Sequence, residues 1–134
     1  MAIEMARAEK PIIGFLSTNE LRLLFSQVDE SSVQGRRHAA LLHLLYDTGS
    51  RVQELCDLRL RDLHLGENPY VLLHGKGNKC RNVPIVTEVA QRTERYIAEN
   101  KLSAVKSQDM PLFFNRQRRP LTRAGVSYVV SKYA

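Results

Sequence analysis

The chain has 134 residues, of which 43% are hydrophobic and 25% charged, proportions that are ordinary for one globular domain with a single modest core. Lysine and arginine outnumber the acidic residues by 20 to 14, giving a net charge of +6 and an isoelectric point near 9.6. Basic surfaces favour polyanionic partners, because neutralised phosphates release counterions. A solvated basic surface explains the composition equally well.

The remaining composition excludes several protein classes. The two cysteines, Cys56 and Cys80, are too few for a disulfide scaffold and do not have the spacing of a metal site. No apolar run approaches the roughly 20 residues that span a membrane. Residues 1–9 lack the apolar core of a signal peptide. We therefore expect a cytoplasmic protein that needs no metal and does not enter a membrane.

The first part of the chain predicts three helices. The sequence Ser-Thr-Asn-Glu at 17–20 has the pattern of a capping box, and apolar residues at helical spacing follow it. A second apolar stripe predicts a helix over about 34–47, which Gly49 is placed to end. Ser50, with Gln53 three residues later, is predicted to cap the third helix.

The pattern changes after residue 62. Short apolar or alternating segments at 63–65, 70–73 and 81–85 are separated by turn residues, including the glycine-rich run at 75–79. Such segments predict a three-stranded antiparallel meander.

Helical patterns return near the end. Thr87 is predicted to cap a helix that ends near Glu99, and residues 112–114 to form a short buried strand or extended segment. Thr122 is predicted to cap a last helix with an apolar stripe. The predicted fold class is mostly α (α+β) with one small antiparallel sheet.

Arg51 is the first candidate site residue. It lies at the predicted start of the third helix, where unpaired backbone N–H groups attract anions. Its guanidinium matches the spacing of two phosphate oxygens, and Glu54, one turn later, is placed to orient that guanidinium or a neighbouring cation. An exposed arginine paired with a glutamate one turn away is common on helices and explains the same residues.

Lys76 is the second candidate. Because it lies between Gly75 and Gly77, we expect its backbone to reach left-handed conformations and its side chain to move towards a ligand. A lysine in such a turn can hold a phosphate and deliver a proton. A solvated hairpin tip often has the same composition.

The flanking residues of both candidates resemble the tyrosine recombinase (phage integrase) family. Residues 48–55 read Thr-Gly-Ser-Arg-Val-Gln-Glu-Leu, residues 58–62 read Leu-Arg-Leu-Arg-Asp, and residues 75–84 read Gly-Lys-Gly-Asn-Lys-Cys-Arg-Asn-Val-Pro. Phe-Leu-Ser-Thr-Asn-Glu-Leu at 15–21 and Leu-Thr at 121–122 add to the likeness. It implies that residues 1–13 are a flexible lead or linker, followed by the helical catalytic domain of that family.

The resemblance also implies a reaction. Enzymes of this family attack a DNA phosphodiester with a tyrosine and form a 3′-phosphotyrosine link without a metal or other cofactor. By resemblance, Arg51 binds the scissile phosphate, Lys76 is the general acid with Lys79 as the second choice, and Glu54 supports Arg51. Double-stranded DNA and, in a full-length enzyme, further recombinase protomers are the implied partners. The residues expected to contact DNA are Lys79, Arg81 and His74.

One part of the family pattern does not occur in this sequence. The family continues with a His-x-x-Arg motif and a nucleophilic tyrosine, but none of the four histidines here precedes an arginine by three residues. We interpret residues 14–134 as the N-terminal portion of a catalytic domain, C-terminally truncated, and expect no cleavage by this chain alone. Tyr133 is rejected as the nucleophile because it lies on the apolar stripe of the last helix. The other tyrosines are expected in the core (Tyr46, Tyr96), in a strand (Tyr70) and on a helix surface (Tyr128).

Three functional hypotheses follow. The leading one is part of a site-specific DNA recombinase or integrase. The second is a non-catalytic DNA-binding module or truncated regulatory relative, which differs from the first in whether His-x-x-Arg and a tyrosine follow. The third is a basic protein-interaction or RNA-binding domain, for which Arg51→Ala would leave DNA binding unchanged.

Overall fold

A computed structural model of the protein describes residues 18–102 and 108–133. The predicted lead at 1–13 and Ser17 of the predicted capping box lie outside the described residues. The α-helices are α1 (Thr18–Ser26), α2 (Val33–Thr48), α3 (Val52–Cys56), α4 (Thr87–Glu99) and α5 (Arg123–Tyr133). The strands are β1 (Leu63–His64), β2 (Tyr70–His74) and β3 (Cys80–Pro84). None of the described helices is long and apolar enough to span a membrane.

The central helix is α2, which packs extensively against α4. It begins where the Ser32 hydroxyl accepts a hydrogen bond of 2.9 Å from the Gly35 N–H, and it ends at Gly49, whose φ of 62° is left-handed. Its apolar residues Leu41, Leu42, Leu44 and Leu45 have no exposed surface. The predicted helix at 34–47, with Gly49 as its end, is confirmed.

Helix α1 covers one side of α2. Leu24 and Val28 of this first segment are buried, and the Phe25 ring stacks on His43 with their centroids 4.3 Å apart. Tyr46 was expected in the core but is 50% exposed, so that expectation is wrong. Its ring packs edge-to-face with Phe25, with the ring centroids 5.8 Å apart, because Tyr46 lies at the margin of the α1–α2 contact.

The three strands form one antiparallel sheet in the order β1-β2-β3, which confirms the predicted meander. The register pairs Leu63 with Val71, and His74 with Cys80. Val71 and Leu73 have no exposed surface, whereas their neighbours along β2 are half-buried or exposed. This alternation is typical of a sheet that covers a core with one face.

Residues 112–114, which precede α5, form a buried extended segment, one of the two forms predicted for them. The Leu112 N–H donates to Leu58 O at 2.9 Å, and the Tyr96 hydroxyl donates to Leu112 O at 2.7 Å. Tyr96 is buried, which confirms its predicted place in the core. The Thr122 hydroxyl accepts from the Gly125 N–H at 3.1 Å and so caps α5, as predicted.

The cap of α4 differs from its prediction. Val86 is the N-cap residue and Thr87 already lies in the helix, so Thr87 is not the cap. The Val86 N–H donates to the Asp47 carboxylate at 2.9 Å. Because this hydrogen bond to a distant residue fixes the backbone at Val86, the N-cap lies one residue before the position that the local sequence predicts.

Candidate functional site

The start of α3 is organised by Glu54. Arg51 is the N-cap residue, and its backbone N–H donates to Glu54 Oε1 at 2.9 Å. The predicted cap by Ser50 and Gln53 is therefore wrong. Ser50 is fully buried, and in the described structure its hydroxyl oxygen has no hydrogen-bond partner. With only five residues, α3 contributes little dipole, so anion binding here depends on side chains.

Glu54 also forms a hydrogen-bonded ion pair with Arg81 of β3. The Arg81 guanidinium donates to Glu54 Oε2 at 2.7 Å and to Oε1 at 3.2 Å. Burial raises the pKa of Glu54, but the hydrogen bonds from Arg81 and from the Arg51 N–H outweigh that effect and hold the pKa below its ordinary value. Glu54 therefore orients the neighbouring cation Arg81, and it reaches Arg51 through the backbone of that residue.

The turn between β2 and β3 presents Lys76 at the surface. The Gly75 N–H donates to Lys79 O at 2.6 Å and closes the turn, while Gly77 (φ 69°) and Asn78 (φ 63°) take the left-handed conformations. The left-handed conformations expected of this turn fall on the two residues after Lys76 and not on Lys76 itself. A Cβ built on Gly75 would lie 3.4 Å from Glu54 Oε2, so the turn rests directly on Glu54.

These elements surround one open cleft of about 900 Å³. All six predicted site residues line it: Arg51, Glu54, His74, Lys76, Lys79 and Arg81. Arg123, at the start of α5, is the fifth cation in the cleft. Among the described residues, two carboxylates line it, Glu54 and Asp57. The cleft is therefore a cationic surface built by three separate segments, and within the described residues no cluster of three or more metal-ligating side chains occurs.

Arg123 was missed by the sequence analysis. The residues before it, Leu121 and Thr122, were recognised, and the cap by Thr122 fixes where α5 begins. One sequence signal could have identified it: Arg123 directly follows the recognised Leu-Thr pair and is the first residue of α5. Its position in the cleft, however, depends on the packing of α5 against α3, which local sequence does not reveal.

His74 lies at the edge of the cleft, and each of its ring nitrogens has a polar atom within hydrogen-bond distance. Nε2 lies 2.8 Å from Asp62 Oδ1, and Nδ1 lies 3.2 Å from Cys80 Sγ. A direct contact between His74 and DNA stays a prediction, and it would require the ring to exchange one of these partners.

Among residues 18–102 and 108–133, no tyrosine lines the cleft. The Tyr133 hydroxyl lies 2.6 Å from His38 Nδ1, and burial raises the pKa of Tyr133. Its half-buried place beside α2 agrees with the sequence prediction, as does the 64% exposure of Tyr128.

Comparison with known proteins agrees with this geometry. The model of the phage integrase family matches residues 14–134. Tyrosine recombinase XerC of Bacillus pumilus (strain SAFR-032) is 36% identical over 136 residues, covering 98% of this chain and 44% of the relative. The XerC of Bacillus subtilis (strain 168) is 35% identical, covering 96% and 43%. The chain thus spans less than half the length of these curated relatives.

Solved structures share the fold. The crystal structure of XerA recombinase superposes with a TM-score of 0.70 at 25% identity, covering 88% of this chain and 41% of that one. The XerH site-specific recombinase bound to difH substrate gives 0.69 at 25% identity, covering 89% and 36%. Over nearly its whole length, the chain therefore belongs to the phage integrase family, the tyrosine recombinases.

Proposed function

We propose that this chain supplies the phosphate-binding part of a site-specific DNA recombinase. The observation that carries the proposal is the convergence of Arg51, Lys76 and Arg123, from three separate segments, on one open cleft. A phosphodiester backbone is the polyanion that such a cleft fits, because each neutralised phosphate releases counterions. The XerH relative was solved bound to its difH DNA substrate.

Within the cleft, the side chains have distinct roles. Arg51 is exposed and its guanidinium is free to meet two non-bridging oxygens of the scissile phosphate. Lys76, on the exposed turn, donates the proton to the leaving 5′-oxygen. Glu54 acts on both as a positioning residue, since it binds the Arg51 backbone and supports the turn through Arg81.

The complete reaction requires groups beyond this set. In the proposed parent enzyme a tyrosine attacks the phosphate, forms a 3′-phosphotyrosine bond and releases the 5′-hydroxyl. The ester conserves the energy of the broken bond, so rejoining needs no nucleotide cofactor. We place double-stranded DNA and further recombinase protomers among the partners of the full-length enzyme, and we place that enzyme in the cytoplasm.

The test compares two arginines. Arg51→Ala removes a cation from the cleft, whereas Arg95→Ala removes an exposed cation of α4 that does not line it. We expect Arg51→Ala to weaken binding of a labelled DNA duplex by about tenfold, measured by fluorescence anisotropy at low salt, and Arg95→Ala to change it far less. Equal affinities for the two variants would contradict the proposed site.

A further inference from the structure

Cys80, His74 and Asp62 form a continuous chain of contacts at the edge of the cleft. His74 ends β2 and Cys80 begins β3, and the two residues are directly opposed in the sheet register. Cys80 Sγ lies 3.2 Å from His74 Nδ1, and His74 Nε2 lies 2.8 Å from Asp62 Oδ1. Asp62 is buried, and its other oxygen accepts from the Arg59 N–H at 2.9 Å. The carboxylate is thus fixed in place.

The hydrogen-bond roles follow from the carboxylate. An ionised Asp62 can only accept, so His74 Nε2 carries the proton and donates it. In the neutral ring Nδ1 is then the unprotonated nitrogen, which can accept from the Cys80 thiol. The thiol, the imidazole and the carboxylate thus follow one another in the order of a cysteine nucleophile, its base and the group that orients the base.

The surroundings favour the same chemistry. Cys80 is exposed and shares the cleft with Lys76, Lys79 and Arg81, and nearby cations stabilise a thiolate. Cys56 provides the contrast within the same chain, since it is buried and burial raises its pKa to about 11.

A metal site is a poor alternative for these three residues. The two ring nitrogens of His74 point in opposite directions, one to Cys80 and one to Asp62. Ligands of a single ion must converge on one point, and this arrangement does not. The geometry therefore does not favour a shared metal ion.

We propose that Cys80 is a reactive thiol that exchanges with small-molecule disulfides, and that the resulting mixed disulfide obstructs the cleft. The Cys80 sulfur attacks one sulfur of the disulfide, a new S–S bond forms as the old one breaks, and the other half leaves as a thiolate. The Cys80 proton passes to His74 Nδ1 and then to solvent. The thiol is oxidised and the small-molecule disulfide is reduced by the same electron pair. Obstruction of DNA binding rests on the proposed function, whereas the reactivity does not.

The first experiment measures reactivity alone. The chain is treated with limiting glutathione disulfide, and the modification of each cysteine is followed by peptide mass spectrometry. We expect Cys80 in the folded chain to react about tenfold faster than the same residue in urea, although unfolding exposes it fully. Cys56 should react only in urea. A folded-state rate at Cys80 equal to or below the unfolded rate overturns the proposal.

Variants of the cluster separate activation from exposure. In Asp62→Asn, the side-chain carbonyl can still accept from the Arg59 N–H while its amide donates to His74 Nε2, which shifts the ring proton to Nδ1 and removes the acceptor of the thiol proton. His74→Asn removes the base directly and serves if Asp62→Asn does not fold. Each should abolish the rate advantage of Cys80, and the matched control His64→Asn, at an exposed strand histidine, should retain it. An unchanged rate in a folded cluster variant contradicts the activation.

The second experiment tests the consequence for DNA. Glutathione adds a bulky anionic group, so we expect the modified wild-type chain to bind duplex DNA at least about tenfold more weakly than the untreated chain, with recovery after a thiol reductant. Cys80→Ser should bind equally well with and without treatment. Modified protein that keeps its affinity overturns the obstruction. Fast reaction at Cys80 in a chain that never binds DNA supports the thiol site and contradicts the proposed function alone.

Discussion

At the residue scale, the site depends most on Glu54. Its carboxylate joins the start of α3 to β3 through the Arg51 N–H and the Arg81 guanidinium, and it is almost completely buried. We expect Glu54→Gln to lower the free energy of unfolding by about 1 kcal/mol, because the charge-assisted hydrogen bonds from the half-exposed Arg81 become weaker bonds to a neutral amide. Urea denaturation measures this, with Glu94→Gln, at an exposed position of α4, as the control.

The same residue makes stability depend on pH. The folded-state pKa of Glu54 lies below the ordinary 4.5 of a glutamate, so its contribution is present above about pH 4.5 and is lost as the pH falls through the folded-state value. The wild-type chain should therefore lose more stability on acidification than Glu54→Gln. Glu99 and Asp29, whose pKa values are also lowered, affect both proteins equally. Parallel stability–pH curves would contradict the role of Glu54.

At the element scale, the β2–β3 turn sets where Lys76 lies. Gly77 has a φ of 69°, a conformation that costs a residue with a side chain about 1 kcal/mol. Gly77→Ala should lower the unfolding free energy by about this amount and weaken DNA binding, because the strained turn displaces Lys76. Gly66→Ala is the matched control, since a Cβ at Gly66 meets nothing within 4 Å and its φ is not left-handed. Equal effects of both changes would show that the turn geometry is unimportant.

The elements also show how far local sequence determines structure. The C-terminal end of α2 was predictable because a glycine such as Gly49, which takes the left-handed conformation, is a strong local signal. The caps of α3 and α4 differ from their predictions for two reasons. At α3 the partner is local, because Glu54 accepts from the Arg51 N–H, one residue later than the predicted pair of Ser50 and Gln53. At α4 the backbone is fixed by the distant Asp47. Ser50 is buried, and among the described residues its hydroxyl oxygen accepts no hydrogen bond from the helix. At α4, a tertiary partner replaces the local capping pattern.

At the scale of the whole molecule, the cleft is a tertiary feature. The resemblance identified Arg51 and Lys76 because both lie in long contiguous motifs, and the structure brings them to the same cleft. The place of Arg123 in the cleft depends on the packing of α5 against α3. The exposure of Tyr46 depends on how its ring meets Phe25 of α1. Sequence patterns thus identified the residues in strong local motifs, while the packing between distant segments determined the rest.

The whole chain should bind DNA without forming a covalent bond to it. No tyrosine lines the cleft in the described structure, and the Tyr133 hydroxyl is held by His38. With a nicked suicide substrate, we expect no DNA adduct of the chain in a denaturing gel. An adduct that forms with the wild-type chain and disappears in Tyr133→Phe would show that Tyr133 can reach a phosphate after all.

The salt dependence of duplex binding tests the central claim most directly. Each phosphate contact contributes about 0.9 to the slope of log K against log salt, so Arg51→Ala combined with Lys76→Ala should make the slope shallower by about 2. The control combines Arg95→Ala with Lys101→Ala, two exposed cations that do not line the cleft, and should keep the wild-type slope. Identical slopes for all three proteins would contradict phosphate binding in the cleft.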